Sequence, residues 1–252
     1  MLIIAHRGAS HDAPENTLAS VKLGWAQDAD AVEIDVYRTR DDEIVALHDH
    51  TFQRTAGHPG DVEEMDLAEI RTLDVGAWKG PRFAGERVPT LAEVLATVPG
   101  GKSLVIEIKS GPVIVPALQR VLRAGPVPLA NIVLISFNAD ALAAAKRALP
   151  ECVALLLEGG THEGRQRTVV DLDALIRRCH DTGFDGLDLG NDWPIDAAFV
   201  RRVHDAKLLF YVWTVNRAEN GRELADAGID GLTTDRPGWM REMLRADGAL
   251  SC

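Results

Sequence analysis

Short apolar runs alternate with helix-forming stretches along almost the whole chain. Eight of the runs are typical of buried strands: Leu2–Ala5, Ala31–Tyr37, Leu104–Lys109, Ile132–Ser136, Val153–Leu157, Gly186–Leu189, Leu208–Trp213 and Ile229–Thr233. Periodic apolar spacing predicts helices between them, over Asn16–Gln27, Val113–Arg123, Ala139–Ala148, Leu172–Asp181, Asp196–Asp205, Ala218–Ala227 and Pro237–Leu244. Eight βα repeats favour an α/β fold of the closed (β/α)8 TIM-barrel type over an open doubly wound sheet. No Gly-rich dinucleotide fingerprint follows the first strand, which also counts against the open form.

One connection, after the second strand, is much longer than the others. Glu43–Leu47 resembles an extra strand, and residues 49–88 form a Gly/Pro-rich insertion with a short helix near Leu67–Leu73. The helix of this repeat is delayed to Leu91–Val98. We therefore expect a single domain over residues 1–252 with a small insertion at about 49–88, placed at the carboxyl ends of the strands, where barrel active sites lie.

The charge of the chain limits its partners. The formal net charge is −11 and there is no lysine- or arginine-dense block, so we expect neither nucleic-acid binding nor stable association with an anionic membrane. The amino terminus is apolar for only five residues, too short for a signal-peptide core, so we expect a cytoplasmic protein. A small-molecule partner is compatible with this composition, and so is a homo-oligomer.

Acidic residues interrupt two of the apolar strands. Glu33 and Asp35 are two apart and share a strand face, as do Glu107 and Lys109. Parallel barrel strands are buried on both faces, so unpaired acids there would be very costly. Three carboxylates suit one divalent cation, Mg²⁺ or Ca²⁺. The alternative is an internal salt-bridge network with Arg7 and Lys109.

Two histidines are expected at the same barrel mouth. His6, with Arg7 and Gly8, ends the first strand, and His48 ends the extra strand. Arg7 can donate two hydrogen bonds to a phosphate. Two histidines beside a metal ion suit phosphoester cleavage, because one can accept a proton from the nucleophile while the other donates one to the leaving alkoxide.

Several further polar and aromatic residues are candidates for binding or for capping. Asn16 is a plausible N-cap of the first helix, and Glu15 before it can hydrogen bond near the site. Trp213, which ends the seventh strand, is either an apolar wall of the pocket or part of the barrel core. Asp235 is placed to cap the last helix, which Pro237 starts.

Taken together, these motifs resemble those of the glycerophosphodiester phosphodiesterase family, in its bacterial-type, soluble form. The matching motifs run in order along nearly the entire chain: His6-Arg7-Gly8, Pro14-Glu15-Asn16-Thr17, Glu33-Ile34-Asp35, His48-Asp49 with Arg54-Thr55, Glu107-Ile108-Lys109, Ser136-Phe137, Trp213-Thr214-Val215-Asn216 and Thr234-Asp235-Arg236-Pro237. The resemblance implies a TIM barrel with a small insertion that hydrolyses glycerophosphodiesters to sn-glycerol 3-phosphate and an alcohol, using a divalent metal ion.

The resemblance also implies roles for individual residues. It gives His6 and His48 as the catalytic pair, Glu33, Asp35 and Glu107 as the metal ligands, and Arg7 and Lys109 as the cations that contact phosphate. Two rival functions remain open. One is a lysophospholipase D-like or phosphoinositide phospholipase C-like activity, which needs a more open, apolar rim. The other is a barrel that binds phosphodiesters without cleaving them.

Overall fold

Eight parallel strands close into a barrel, as the sequence predicts. The computed structural model describes residues 1–159 and 171–246. Its strands are β1 (Leu2–Ala5), β2 (Ala31–Arg38), β3 (Ile44–Ala46), β4 (Thr51–Phe52), β5 (His58–Asp61), β6 (Ser103–Ile108), β7 (Ile132–Ser136), β8 (Val153–Glu158), β9 (Gly186–Gly190), β10 (Leu209–Trp213) and β11 (Gly231–Thr234). The barrel order is β1, β2, β6 to β11, and β1 pairs in parallel with both β2 and β11. The prediction of a (β/α)8 TIM barrel is confirmed.

Helices follow the barrel strands close to their predicted places. They are α1 (Leu18–Ala26), α2 (Gln53–Ala56), α3 (Leu67–Ile70), α4 (Leu91–Leu95), α5 (Val115–Ala124), α6 (Ala139–Ala148), α7 (Leu172–Thr182), α8 (Ala197–Asp205), α9 (Ala218–Ala227) and α10 (Pro237–Ala246). The bounds of α6 and α9 coincide with those predicted. No helix within the described ranges is both long enough and apolar enough to cross a membrane.

The start of α1 differs from the prediction. Its N-cap is Thr17, whose side chain accepts a hydrogen bond from Ser20 N while Ser20 Oγ accepts one from Thr17 N. Asn16 has a left-handed backbone, with φ of 55°, and its side chain faces the barrel. The prediction of Asn16 as the cap is wrong because its amide is bound to Asp35 instead.

Strand alternation separates the two faces of each barrel strand. In β2, Ile34 and Val36 pack in the core beneath the helices, so Glu33 and Asp35 point into the barrel. Most of the interior is apolar, with a cluster of Ile4, Ala31, Val105, Val133, Ile135, Leu155, Leu157 and Tyr211. The acids of β2 therefore lie next to an apolar cluster that fills the barrel interior.

The insertion has a small core of its own and lies against one side of the barrel mouth. Strand β3 pairs antiparallel with β2, and β4 and β5 form a separate hairpin. The insertion core consists of Val45, Leu47, Phe52, Val62, Ile70, Val75 and Val88. Leu47 N donates to Asp35 O over 3.1 Å, which ties the end of β3 to β2. This contact places the next residue, His48, beside the acids. The extent of the domain, residues 1–252, stays a prediction.

Candidate active site

Three buried carboxylates converge at the barrel mouth. Glu33, Asp35 and Glu107 each offer an oxygen, and these oxygens lie within 4.8 Å of one another. Neighbouring strands bring them together, because Asp35 on β2 is paired with Glu107 on β6. An ion bound at 2.0–2.6 Å from each oxygen, the range for Mg²⁺ and Ca²⁺, fits this spacing.

Two cations lie against this cluster. Lys109 Nζ is 3.0 Å from Asp35 Oδ1 and 2.6 Å from Glu107 Oε1. Arg7 Nε is 3.2 Å from Asp35 Oδ2, and Arg7 N donates to Glu33 Oε2 over 2.8 Å. The salt-bridge network considered as an alternative to a metal site is therefore present. Whether it can replace a metal ion depends on how many of the three acids are ionised.

Lys109 and Arg7 do not supply enough positive charge to keep all three acids ionised. Burial, with the neighbouring Asp35 carboxylate, raises the pKa of Glu107 to about 8. Burial and the carboxylates of Asp35 and Glu107 also raise the pKa of Glu33 well above its usual range. Asp35 is different, because Lys109 and Arg7 outweigh its burial and lower its pKa. Two of the three acids thus favour the neutral form unless a cation joins them, which fits a divalent ion.

His6 is held by an acid from the other end of the chain. Its Nδ1 lies 2.6 Å from Asp235 Oδ1, and Asp235 also accepts hydrogen bonds from Ser10 Oγ and Asn216 Nδ2. Burial opposes ionisation of Asp235, but the bond to His6 and its other hydrogen bonds lower its pKa to about 2. An ionised carboxylate can only accept, so His6 Nδ1 carries the proton and Nε2 is left for chemistry.

Asp235 was predicted to cap the last helix. The structure instead uses its carboxylate to orient His6, while Gly238 N, in the first turn of α10, donates to Gln27 Oε1. Sequence reasoning missed this role because His6 and Asp235 are 229 residues apart. Their strands become neighbours only when the barrel closes.

His48 is held in the same way, by the residue that follows it. Its Nδ1 lies 2.7 Å from Asp49 Oδ1, and Arg54 Nε donates to Asp49 Oδ2 over 2.7 Å. Hydrogen bonds from Arg54 and His48 outweigh the burial of Asp49 and lower its pKa. Burial is the main reason that the pKa of His48 is lowered. A neutral His48 with Nδ1 protonated again presents Nε2 as its free nitrogen.

Glu15 links the two sides of the site. Its carboxylate accepts a hydrogen bond from Arg7 Nη1 over 2.9 Å and a two-pronged contact of 2.8 Å per bond from Arg54. Hydrogen bonding by Arg54 and the charge of Arg7 outweigh burial and lower the pKa of Glu15. Its expected part in substrate binding stays a prediction, and the geometry places Glu15 in direct contact with Arg7.

An aromatic pair joins the carboxyl ends of β7 and β10, two strands that do not adjoin β2. Trp213, partly exposed, packs edge to face on Phe137 with ring centroids 5.6 Å apart, and its Nε1 donates to Asp188 O. Phe137 is 49% exposed. Trp213 packs against the apolar cluster of the barrel interior, and its expected part in the wall of the pocket stays a prediction.

Comparisons with known proteins point to one enzyme family. Residues 6–239 match the model of the "Glycerophosphoryl diester phosphodiesterase family". A "Glycerophosphodiester phosphodiesterase" of Caldanaerobacter subterraneus subsp. tengcongensis is 34% identical over 252 residues, which cover 98% of this chain and 99% of that protein. One of the same description from Bacillus subtilis is 28% identical, covering 94% and 84%.

A solved structure shows the same architecture. It is a phosphodiesterase from Oleispira antarctica, in complex with the product sn-glycerol-3-phosphate. The two chains are 28% identical and superpose with a TM-score of 0.86, covering 97% of each.

Proposed function

This chain belongs to the glycerophosphoryl diester phosphodiesterase family, and on that premise we propose that it hydrolyses glycerophosphodiesters to sn-glycerol 3-phosphate and an alcohol. The observation that carries the proposal is the convergence of two carboxylate-held histidines on three buried acids and two cations at one barrel mouth. A small-molecule phosphodiester is the expected partner, and no second macromolecule is needed for this chemistry.

Glu33, Asp35 and Glu107 are the residues that would hold one divalent cation, Mg²⁺ or Ca²⁺. When bound, such an ion supplies Lewis-acid polarisation of a phosphoryl oxygen. Arg7 and Lys109 face the same region and are positively charged at neutral pH, which suits them to bind the nonbridging oxygens of the substrate phosphate. Their charge stabilises the negative charge that develops there in the transition state.

His6 and His48 carry the proton transfers. Each has Nδ1 bound to a carboxylate, so each reacts through Nε2. One imidazole takes a proton from the attacking hydroxyl, and the other gives a proton to the departing alkoxide oxygen. Asp235 and Asp49 stabilise whichever imidazole becomes positive. The attacking oxygen belongs either to water, which gives sn-glycerol 3-phosphate directly, or to the substrate's own 2-hydroxyl, which expels the alcohol and leaves a cyclic phosphate that water then opens. The two routes share these groups.

Substrate orientation follows from the polarity of the two sides of the mouth. Arg7 and Lys109, with Glu15 holding Arg7, bind the phosphate on the insertion side. Trp213 and Phe137 offer an apolar surface on the far side, suited to carbon atoms of the substrate. No membrane contact is required for a substrate of this size.

The direct test measures release of sn-glycerol 3-phosphate from a panel of glycerophosphodiesters, including glycerophosphocholine, with and without a chelator. We expect release that the chelator abolishes and that Mg²⁺ or Ca²⁺ restores. His6→Ala and His48→Ala should each lower kcat by about 10²–10⁴-fold, the usual contribution of a general acid or base, with little change in unfolding temperature.

The same panel distinguishes the rival functions. Faster cleavage of lysophosphatidylcholine or of phosphoinositides than of every glycerophosphodiester would replace the proposed substrate class. Tight binding of glycerophosphocholine without any product would indicate a noncatalytic barrel. Full activity in either histidine variant would remove that residue from the catalytic pair.

A further inference from the structure

Arg54 lies between the two halves of the site and has no role in the reaction described so far. It is in α2, the four-residue helix of the insertion that follows β4. Its Nε donates to Asp49, and its Nη1 and Nη2 donate to the two oxygens of Glu15, over 2.7–2.8 Å. All three guanidinium nitrogens are therefore engaged by carboxylates, which leaves Arg54 poorly placed to bind the substrate phosphate itself.

The two carboxylates that Arg54 binds lead to different functional groups. Asp49 holds His48 Nδ1, and Glu15 holds Arg7 Nη1. Arg54 thus stands at the centre of a continuous series of contacts from the histidine of the insertion to the arginine of the barrel. The planar guanidinium fixes both carboxylates in one geometry, which a lysine ammonium cannot do.

We propose that Arg54 is a positioning residue, which sets the relative placement of His48 and Arg7 by gripping Asp49 and Glu15 at once. The inference rests on the proposed function. His48 directly follows Leu47 of the insertion core, whereas Arg7 follows β1 of the barrel. A shift of one against the other would misalign the proton-transfer group with the bound phosphate.

The expected effect is catalytic more than structural. The Arg54 side chain is 43% exposed, and ion pairs in contact with solvent contribute little to folding stability. Misplacement of a catalytic group by about 1 Å, in contrast, can cost about 100-fold in rate. Loss of Arg54 should therefore lower kcat much more than it lowers the unfolding temperature.

The chain offers a matched control in the same insertion. Arg71 forms a two-pronged contact with Glu93 over 2.7–2.8 Å, and its side chain is 38% exposed. Neither residue touches the site. We expect Arg54→Gln to lower kcat on glycerophosphocholine by about 10–100-fold, while Arg71→Gln keeps kcat within about twofold of the unmodified protein. Arg54→Lys keeps the charge but loses the planar, two-pronged guanidinium, so its kcat should be close to that of Arg54→Gln.

A double-mutant cycle tests whether Arg54 affects kcat through its contact with Asp49. If Arg54 acts on His48 through Asp49, then Arg54→Gln should cost much less kcat in an Asp49→Asn background than alone. Equal costs in both backgrounds would overturn the proposal. So would a kcat for Arg54→Gln within about threefold of the unmodified protein, or a loss that Arg71→Gln reproduces.

A second measurement does not depend on activity. With ¹⁵N-labelled histidine, NMR at pH 8 reports which ring nitrogen of His48 carries the proton, and a His48→Gln variant assigns the signal. We expect protonated Nδ1 in the unmodified protein and in Arg71→Gln, and a mixture of tautomers in Arg54→Gln. An unchanged His48 tautomer in Arg54→Gln would overturn the proposal. If no glycerophosphodiester were cleaved, the proposed function would fail, but the His48 tautomer would still test whether Arg54 positions His48.

Discussion

At the scale of single residues, the carboxylates of this barrel differ sharply in environment. Asp235 and Asp49 are surrounded by donors and stay ionised, so they can hold the histidines. Asp188, on the inner face of β9 between Leu157 and Tyr211, is only 2% exposed. Burial alone raises the pKa of Asp188 to about 8. A carboxyl in an apolar interior keeps its proton at neutral pH.

The buried Asp188 makes folding stability depend on pH. In the unfolded chain its pKa is about 3.9, so between about pH 4 and pH 8 the unfolded state ionises while the folded state stays neutral. The contribution of Asp188 to the free energy of unfolding is therefore fully present below about pH 4 and is lost as the pH rises to about 8. Asp188→Asn cannot ionise and should remain free of this loss.

We expect Asp188→Asn to be more stable than the unmodified protein by at least about 1 kcal/mol at pH 7 and nearly equal to it at pH 4. Urea unfolding at pH 4, 5.5 and 7 measures the difference. A difference that stays constant with pH would mean that Asp188 does not keep its proton in the folded state.

At the scale of elements, the connection from β1 to α1 is the most constrained part of the site. Arg7 and Gly8 have φ of 54° and 79°, and Asn16 has φ of 55°. The turn aims the Arg7 side chain at the acids and brings Gly8 against α1. A Cβ on Gly8 would lie 2.4 Å from the carbonyl carbon of Ser20. Only glycine fits there, because a backbone atom cannot yield as a flexible side chain can.

Gly8→Ala should therefore be severely destabilising, by more than about 2 kcal/mol, and should also impair phosphate binding through Arg7. Gly57 is the control, since its φ is also left-handed, at 66°, but nothing lies within 4 Å of the added Cβ. Gly57→Ala should cost only about 1 kcal/mol. Thermal unfolding of both variants measures the contrast, and equal losses would show that crowding at Ser20 is not the cause.

At the scale of the whole molecule, the carboxylate cluster joins adjacent strands of a closed barrel. Glu33 and Asp35 come from β2 and Glu107 from β6, so an ion bound there contacts the folded state and not the unfolded chain. Binding of this kind stabilises the entire fold by mass action. The effect is independent of substrate and of turnover.

We expect Mg²⁺ or Ca²⁺ at 100 times its Kd to stabilise the protein by about 2.7 kcal/mol relative to the chelated form, which raises Tm by about 5–10 °C. Scanning calorimetry measures the shift. Glu107→Gln should lose most of it, whereas Glu93→Gln, a change away from the site, should keep it. A Tm that is insensitive to both ions would contradict the assignment of these acids as ligands.

Much of this molecule follows from local sequence. The repeat of strand and helix patterns is a property of neighbouring residues, so it predicts the barrel and most element bounds. The spacing of two within Glu33-Ile34-Asp35 predicts a shared face, since alternation is intrinsic to a strand. His6 ends a parallel barrel strand, which places it at the rim once the barrel is accepted. His48 ends β3, which runs antiparallel to β2, so its place beside the acids comes from the pairing of these two strands.

Tertiary structure alone decided the partners of these residues. The amide of Asn16 binds Asp35 instead of capping α1, Asp235 holds His6 instead of capping α10, and Arg54 reaches Glu15. Each hydrogen bond depends on which polar groups lie within about 3 Å of each other in the folded chain. The sequence alone does not distinguish these distant partners from nearby ones that could form the same bonds. Periodicity is a short-range property that a sequence carries in itself, whereas hydrogen-bond pairing depends on distances that exist only after the barrel has closed.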